Sequence, residues 1–185
     1  MKDQFYLHFE TMPKATAQHK GVSFRNGKPH FYEKSNIENV RHLFTFALKE
    51  HKPARPSEKP IKLTLWFAFD TKNKKLWGKD AEEGQEPWTN REYKATRPDV
   101  DNIAKLFIDC MNGLYFKDDA QICELRLIKT YAERATIAVS WEEIPTASDK
   151  ARLAKKAEDE AYREAYRDAM KLDENEDSAA YKWRM

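Results

Sequence analysis

The chain has 185 residues, a length typical of one domain with an appendage. Apolar residues make up 41% and aromatic residues 12%, enough for a hydrophobic core, while charged residues reach 35% and indicate a strongly charged surface. The net charge of +2 does not by itself indicate a polyanionic partner, but residues 1–60 carry 11 Lys or Arg against 6 Asp or Glu, and residues 148–178 carry 7 against 10.

Membrane and secretory classes are disfavoured by the hydropathy pattern. The sequence contains no apolar run of about 18 residues, so we expect neither a membrane span nor a membrane partner. No apolar segment typical of a secretory signal opens the chain. Cys110 and Cys123 have neither CxxC spacing nor nearby histidines. We expect both cysteines to be reduced packing residues in a cytoplasmic protein.

The N-terminal third predicts a strand, a basic loop and a helix. Residues 5–10 alternate apolar and polar side chains, as a strand does. Residues 11–34 hold two prolines, two glycines and five Lys or Arg, which predicts a long basic loop with a short hairpin at Asn26–Gly27. A helix should begin at the Ser35–Asn36 cap and end near Lys52–Pro53.

The middle of the chain predicts a buried strand followed by a long loop. Residues 61–70 carry apolar side chains on both faces, so we expect a strand covered on both sides. Residues 71–90 have no sustained period and predict a mobile loop or a long hairpin tip, whose Trp77 and Trp88 either anchor the loop or stack on exposed bases. Residues 92–96 could form a short strand.

Apolar residues at helical spacing from Ile103 to Leu114 predict an amphipathic helix that ends at Asn112–Gly113. Residues 123–132 and 135–141 alternate and predict a hairpin. The order of elements therefore predicts an α/β fold of the α+β type, a mixed β-sheet with two packed helices.

The C-terminal part predicts an appendage. Residues 148–172 begin with a Ser-Asp cap and continue as an alanine-rich, charged helix, and the 13 residues after it are typical of disorder. We accordingly expect a domain over residues 1–145 and, over residues 146–185, a C-terminal helix with a disordered tail.

Acidic residues surround the helix predicted near residue 103. If residues 99–101 are extended, Asp99 and Asp101 point the same way, and Lys105 and Asp109 continue along the outer face of the helix. The chain then reverses and brings Asp118 and Asp119 to the start of a strand, from which a third carboxylate could return to the first two. Two or three aspartates on rigid elements suit Mg²⁺, and a nearby lysine could steady a phosphate.

Ordinary structural roles explain the same residues. Asp99 or Asp101 could cap the helix, since a carboxylate is favourable at a helix N-terminus. Asp101, Lys105 and Asp109 could form a surface charge ladder, and Asp118–Asp119 could be turn residues. Spacing alone leaves both interpretations open.

Two stretches carry a family resemblance. Residues 97–122, RPDVDNIAKLFIDCMNGLYFKDDAQI, closely resemble the signature of RusA-type Holliday-junction resolvases, endodeoxyribonucleases common in phages and prophages. Residues 13–33, PKATAQHKGVSFRNGKPHFYE, are similar to a segment in phage branches of that family. The resemblance covers roughly residues 5–142, and the loop at 71–90 and the chain beyond about 145 depart from it.

The resemblance implies a homodimer that uses Mg²⁺, with Mn²⁺ as a substitute, to make paired nicks in a four-way junction in DNA recombination and repair. The nicks would leave 5′-phosphate and 3′-hydroxyl ends, and a phage or prophage protein would act in the cytoplasm of its bacterial host. By position, Asp99, Asp101 and Asp119 match the metal-binding aspartates and Lys105 matches a catalytic lysine. Asp118, Asp109 and Glu124 would contact the metal-binding residues rather than the metal itself.

DNA contacts are less sharply encoded. The expected set is Lys14, Lys20, Arg25, Lys28, Arg97 and Asn102. The basic loop could equally be a solvated surface. No nucleotide-binding glycine loop, Ser/His/Asp triad or zinc ligand set is present, so we expect no nucleotide cofactor. A nuclease for forks or flaps and a non-catalytic junction-binding protein are the alternatives to a resolvase.

Overall fold

The structure is a computed structural model that describes residues 2–13, 20–33 and 35–181. Its elements, in chain order, are β1 (Lys2–Phe9), β2 (Lys20–Arg25), β3 (Lys28–Glu33), α1 (Ser35–Lys49), β4 (Ile61–Asp70), α2 (Val100–Met111), β5 (Ile122–Ala132), β6 (Ala135–Glu143) and α3 (Ala147–Tyr181). A mixed sheet with packed helices was predicted, and the α+β fold class is confirmed.

The main sheet has four strands in the order β1-β6-β4-β5. β4 pairs antiparallel with β6 and parallel with β5, so β4, α2 and β5 form a crossover unit. The predicted hairpin of residues 123–132 and 135–141 is wrong, because β4 lies between the two strands. β4 carries apolar residues on both faces and gains most from the central position.

One face of the sheet packs against α1 and α2. Alternate residues of β4, among them Leu63, Leu65 and Phe67, are fully buried on this side. Phe44 of α1 lies edge-on to Phe107 of α2, with ring centroids 5.1 Å apart, which places both helices on one core. The helix predicted near residue 103 is confirmed: α2 ends at Met111, and Gly113 has the left-handed φ of 73° that glycine tolerates best.

The loop after β4 covers part of the opposite face. Trp66 donates from Nε1 to Thr130 Oγ1 at 2.8 Å, and Trp88 packs beside Trp66 with Arg126 over its ring. Trp77 donates to the Thr71 carbonyl oxygen at 2.7 Å. Both loop tryptophans therefore anchor the loop, which was one of the two roles predicted for them. The predicted strand at 92–96 is a single bridge, Tyr93 to Thr130.

A separate two-stranded sheet, β2 with β3, forms the hairpin predicted in the basic loop. Asn26 and Gly27 take φ values of 51° and 73°, as the two-residue turn of a hairpin requires. Arg25 and Lys28 pair directly across the strands next to that turn. The hairpin thus presents two cations side by side at its tip.

By internal contacts the chain divides into two units, Met1–Ile144 and Pro145–Met185. In the second unit α3 begins with a reciprocal cap between Thr146 and Asp149, so the Asp of the predicted Ser-Asp cap takes part and Thr146 stands in the place of Ser148. The helix continues to Tyr181, beyond the predicted end at 172, and the disordered tail stays a prediction. Among the described helices, none has the length and apolar character needed to cross a bilayer.

Candidate active site at the start of helix α2

Asp99 is the residue at the N-cap position of α2, and its backbone is extended with φ −69° and ψ 138°. Its carboxylate does not cap the helix; it accepts a 3.4 Å hydrogen bond from Nδ2 of Asn102. The helix begins at Val100, so of residues 99–101 only Asp99 is extended, and the condition under which Asp99 and Asp101 would point the same way along a strand is not met. Asp101 is an exposed residue of the first helical turn. Both carboxylates therefore lie at the N-terminus of α2, where the helix dipole favours negative charge.

The backbone that leads into Asp99 is held by a lysine of β5. Lys129 Nζ donates to the carbonyl oxygens of Thr96 at 2.8 Å and Pro98 at 2.6 Å. The Arg97–Pro98 peptide bond between these contacts is cis. Burial, followed by the charge of Lys94, lowers the pKa of Lys129, while the charge of Asp99 acts in the opposite direction. The start of α2 is thus fixed to the sheet by a half-buried ammonium group.

Lys94 and Tyr131 complete this contact. The Lys94 ammonium lies 5.0 Å from the centroid of the Tyr131 ring and 5.3 Å from that of Phe69, and it donates to Thr96 Oγ1. Thr96 Oγ1 and the Tyr131 hydroxyl share a 3.3 Å hydrogen bond. That bond, with the positive charge of Lys94, lowers the pKa of Tyr131 against the opposing effect of burial. Two cations therefore lie close to the segment that carries the aspartates.

Lys105 follows Asp101 by four residues and is exposed, whereas Asp109, four residues further, is half-buried. Residues four apart lie on one face of a helix, so the three form the predicted row along α2. Neither Asp101 nor Lys105 forms a salt bridge with a described residue. Among the described residues, Asp101 and Lys105 therefore do not form the surface charge ladder that could have explained this row. The Lys105 ammonium is open to a ligand.

Asp118 and Asp119 lie at the other end of α2, just before β5. Asp118 accepts from the Ala120 amide at 2.8 Å, so its side chain caps the short 3₁₀ turn Asp119–Gln121. Gln121 Nε2 donates to the carbonyl oxygens of Ser57 at 3.1 Å and Lys59 at 2.9 Å, which ties this turn to the segment before β4. Asp118 therefore has the turn role that was one of the two roles left open by the sequence. Asp119 is exposed.

The two aspartate pairs are separated within one chain. α2 rises about 16 Å from Val100 to Met111 at 1.5 Å per residue. Asp119 precedes the first residue of β5, whereas the Asp99 segment contacts Lys129, about 23 Å further along that strand. Among the described residues, no group of three or more His, Cys, Asp or Glu side chains is placed to hold a metal. The predicted return of Asp119 to Asp99 and Asp101 does not occur within a single chain.

The expected supporting and DNA-binding residues are dispersed. Glu124 lies on the sheet face away from the helices, 3.2 Å from Lys62 Nζ, and so does not approach Asp99. Arg97, Arg25 and Lys28 are exposed, as a phosphate contact requires. Asn102 is only 8% exposed, and its amide orients Asp99. Lys14 lies outside the described residues, and Lys20 is placed only as the first residue of β2.

Lys129, Lys94 and Tyr131 were missed by sequence reasoning. One signal was available: in the strand CELRLIKTYA, Lys129 falls on the same side as Leu125 and Leu127. A lysine on the helix-facing side of a strand needs a polar partner, because burying an unpaired ammonium is costly. The partners themselves, two backbone carbonyls more than thirty residues away, could not be read from the pattern.

Comparison with known proteins agrees with the motif. The family model described as Endodeoxyribonuclease RusA matches residues 10–141, which include both aspartate pairs and Lys105. A crossover junction endodeoxyribonuclease rusA of Lactococcus phage r1t is 33% identical over 147 residues, 78% of this chain and all of that protein. YqaN, an uncharacterized protein of Bacillus subtilis (strain 168), is 29% identical over 136 residues, 71% of this chain and 91% of that protein. The chain belongs to the RusA family of endodeoxyribonucleases.

Proposed function

We propose that the protein resolves four-way DNA junctions by metal-dependent nicking of opposed strands in recombination and repair. The observation that carries this proposal is the pair Asp99 and Asp101, held at the N-terminus of α2 one turn before the exposed Lys105, inside the region matched by the family. The full-length similarity to a phage protein named as a crossover junction endodeoxyribonuclease supports the choice of substrate.

The donor set fits a divalent cation such as Mg²⁺ or Mn²⁺. Asp99 and Asp101 supply carboxylate oxygens, the ligands that hard cations take, and Asp101 is exposed and available to them. When bound, such a cation would lower the pKa of a water molecule and offset the charge that develops on a phosphodiester. Asp99 and Asp101 would hold it from this chain, and Asp119 would complete the set.

Lys105 would act on the phosphate. Its ammonium lies one helical turn beyond Asp101 and makes no salt bridge with a described residue, so it can approach a phosphate oxygen near that carboxylate. A positive charge positioned there stabilises the negative charge of the transition state more than that of the substrate. Hydrolysis would leave 5′-phosphate and 3′-hydroxyl ends, which a ligase can rejoin.

A homodimer would bring the separated aspartates together. Asp119 lies at the opposite end of α2 from Asp99 and Asp101, so these three residues can share a cation only if Asp119 comes from a second chain. Two copies related by a twofold axis would then form two equivalent sites. Two sites facing opposed strands would match the near-symmetry of a four-way junction.

Branched DNA would contact exposed cations in two parts of the domain. Arg97 precedes the aspartates, while Arg25 and Lys28 lie together at the tip of the β2–β3 hairpin. Such groups neutralise phosphates without reading sequence. With Lys14 and Lys20, they would form the binding surface of an enzyme that works in the cytoplasm of a bacterial host.

The experiment compares cleavage of three DNA substrates in the presence and absence of a divalent metal. The protein is incubated with a synthetic four-way junction, a replication fork and a matched linear duplex, each with Mg²⁺ and with a chelator. We expect symmetric nicks in the junction only when Mg²⁺ is present. Cleavage of the fork in preference to the junction would replace this proposal with a nuclease for forks or flaps, and binding without any cleavage would make the protein a junction-binding protein.

A further inference from the structure

We propose that Lys129 is a positioning residue of this nuclease, which holds the backbone before Asp99 and thereby orients Asp99 and Asp101 toward a divalent cation. The inference rests on the proposed function, since it concerns the same two carboxylates. Lys129 lies outside the motif of residues 97–122 and is on a different element, β5.

The contacts of Lys129 are aimed at one short segment. Its Nζ donates to the carbonyl oxygens of Thr96 and Pro98, which flank Arg97, and Asp99 follows directly. The backbone of β5 holds the same segment from further back, because the Lys94 amide donates to the Lys129 carbonyl at 3.0 Å and the Tyr131 amide donates to the Glu92 carbonyl at 2.9 Å. The lysine side chain therefore extends the attachment of the strand to the last residues before α2.

A purely stabilising role would not favour this residue type. Lys129 lies on the helix-facing side of β5, and an apolar side chain there would avoid the cost of desolvating an ammonium group. Lys129 makes no salt bridge with a described carboxylate. What the lysine provides is two hydrogen bonds that fix the backbone of the adjoining N-cap residue. Groups that orient metal ligands typically change metal affinity or activity about 10–100-fold when they are removed.

The test uses Lys129→Met, which removes both hydrogen bonds, and Lys129→Arg, which retains donors for the two carbonyls. Lys72→Met is the control, because Lys72 is an exposed lysine of the loop after β4 and its removal changes the net charge equally. Three quantities are measured on the full-length protein: Mn²⁺ affinity by electron paramagnetic resonance, the single-turnover rate of junction cleavage at saturating protein, and junction affinity with a chelator present.

We expect Lys129→Met to weaken Mn²⁺ binding and slow cleavage by on the order of 10–100-fold, with unchanged junction affinity in chelator. Lys129→Arg should recover most of both losses, and Lys72→Met should match the parent protein. If Lys129→Met lowers only the thermal midpoint, with Mn²⁺ affinity and rate unchanged below that midpoint, the inference is overturned.

Misfolding of Lys129→Met and inactivity of the parent protein have different consequences. If Lys129→Met does not fold, Lys129→Gln is measured in the same way, since its shorter amide cannot reach both carbonyls; parental Mn²⁺ affinity in that variant would overturn the inference. If the parent protein itself neither binds Mn²⁺ nor cleaves the junction, the proposed function fails. A parent that does both, beside a Lys129→Met variant that does both equally well, would refute the role of Lys129 alone.

Discussion

Asp99 occupies a position that usually serves stability. An N-cap aspartate that accepts from the first backbone amides of a helix contributes about 1 kcal/mol. Asp99 makes no such bond, and among the described residues its carboxylate accepts a hydrogen bond from the buried Asn102 alone. The residue therefore forgoes a capping contribution and keeps most of its oxygen lone pairs available, as a metal ligand would.

The first prediction concerns Asp101. Asp101→Asn should abolish cleavage, because an amide oxygen supplies no negative charge to the proposed cation. Junction binding should be unchanged or stronger, since the variant removes a negative charge near phosphates. Cleavage and binding are measured with the same labelled junction. Cleavage by the variant at the parent rate would remove Asp101 from the site.

Lys105 carries the second prediction. Lys105→Ala should slow single-turnover cleavage by about 10²-fold or more if its charge stabilises the transition state. The fold should persist, because Lys105 is exposed and faces away from the core. Lys72→Ala, which removes an exposed lysine of the loop after β4, serves as the control. An unfolded circular dichroism spectrum for Lys105→Ala would contradict the catalytic role and make the lysine structural.

Among the elements, local patterns were sufficient to place α1 and α2 and insufficient for the end of α3 and for strand order. The apolar spacing and the Asn112–Gly113 stop predicted α2 well, because both signals act within a few residues. β5 and β6 alternate and are joined by only Glu133 and Arg134, which locally favours a hairpin. The insertion of β4 between them depends on pairing with a strand more than fifty residues earlier, and no local pattern encodes that.

The turn before β5 carries the third prediction. Gln121 donates to two carbonyls of the Ser57–Lys59 segment and accepts from the Asp118 amide at 3.0 Å. Gln121→Ala should lower the free energy of unfolding by about 1–3 kcal/mol, because carbonyls at the edge of the core lose their donor. Urea unfolding followed by tryptophan fluorescence measures the change in that free energy.

Asp119→Asn is the matched comparison for that turn. Asp119 is exposed, so the substitution should leave the free energy of unfolding unchanged while it abolishes cleavage. A large drop in stability in Asp119→Asn would instead give that carboxylate a structural role. Unchanged stability in Gln121→Ala would show that its hydrogen bonds are matched by water in the unfolded chain.

For the whole molecule, the uneven charge predicts where DNA binds. Replacement of Lys14, Lys20 and Lys28 together by Ala should weaken junction binding most at low salt. Log affinity falls as log salt concentration rises, and the steepness of that fall should decrease by about 0.9 for each phosphate that the protein no longer neutralises. Replacement of Lys150, Lys155 and Lys156 by Ala removes the same charge from α3 and should leave the slope unchanged. Equal slopes for both triple variants would mean that Lys14, Lys20 and Lys28 are only solvated.

The separation of the aspartates along α2 permits a decisive test of assembly. We predict that Asp101→Asn and Asp119→Asn proteins, each inactive alone, regain cleavage when they are mixed and allowed to exchange subunits. In a mixed dimer whose sites combine Asp99 and Asp101 of one chain with Asp119 of the other, one site collects both substitutions and the other collects neither. Sites built within single chains would each retain one substitution, and the mixture would stay inactive.

The product of the mixed dimer is equally informative. A single intact site should nick one strand of a junction and leave the opposed strand uncut, which a doubly labelled junction resolves on a denaturing gel. Light scattering at micromolar concentration, on the full chain and on a chain ending at Ile144, should give a dimer in both cases, since the residues assigned to the site lie before residue 145. A monomer that makes paired nicks, or a mixture that cuts both strands of the same junction at the parent rate, would refute shared sites.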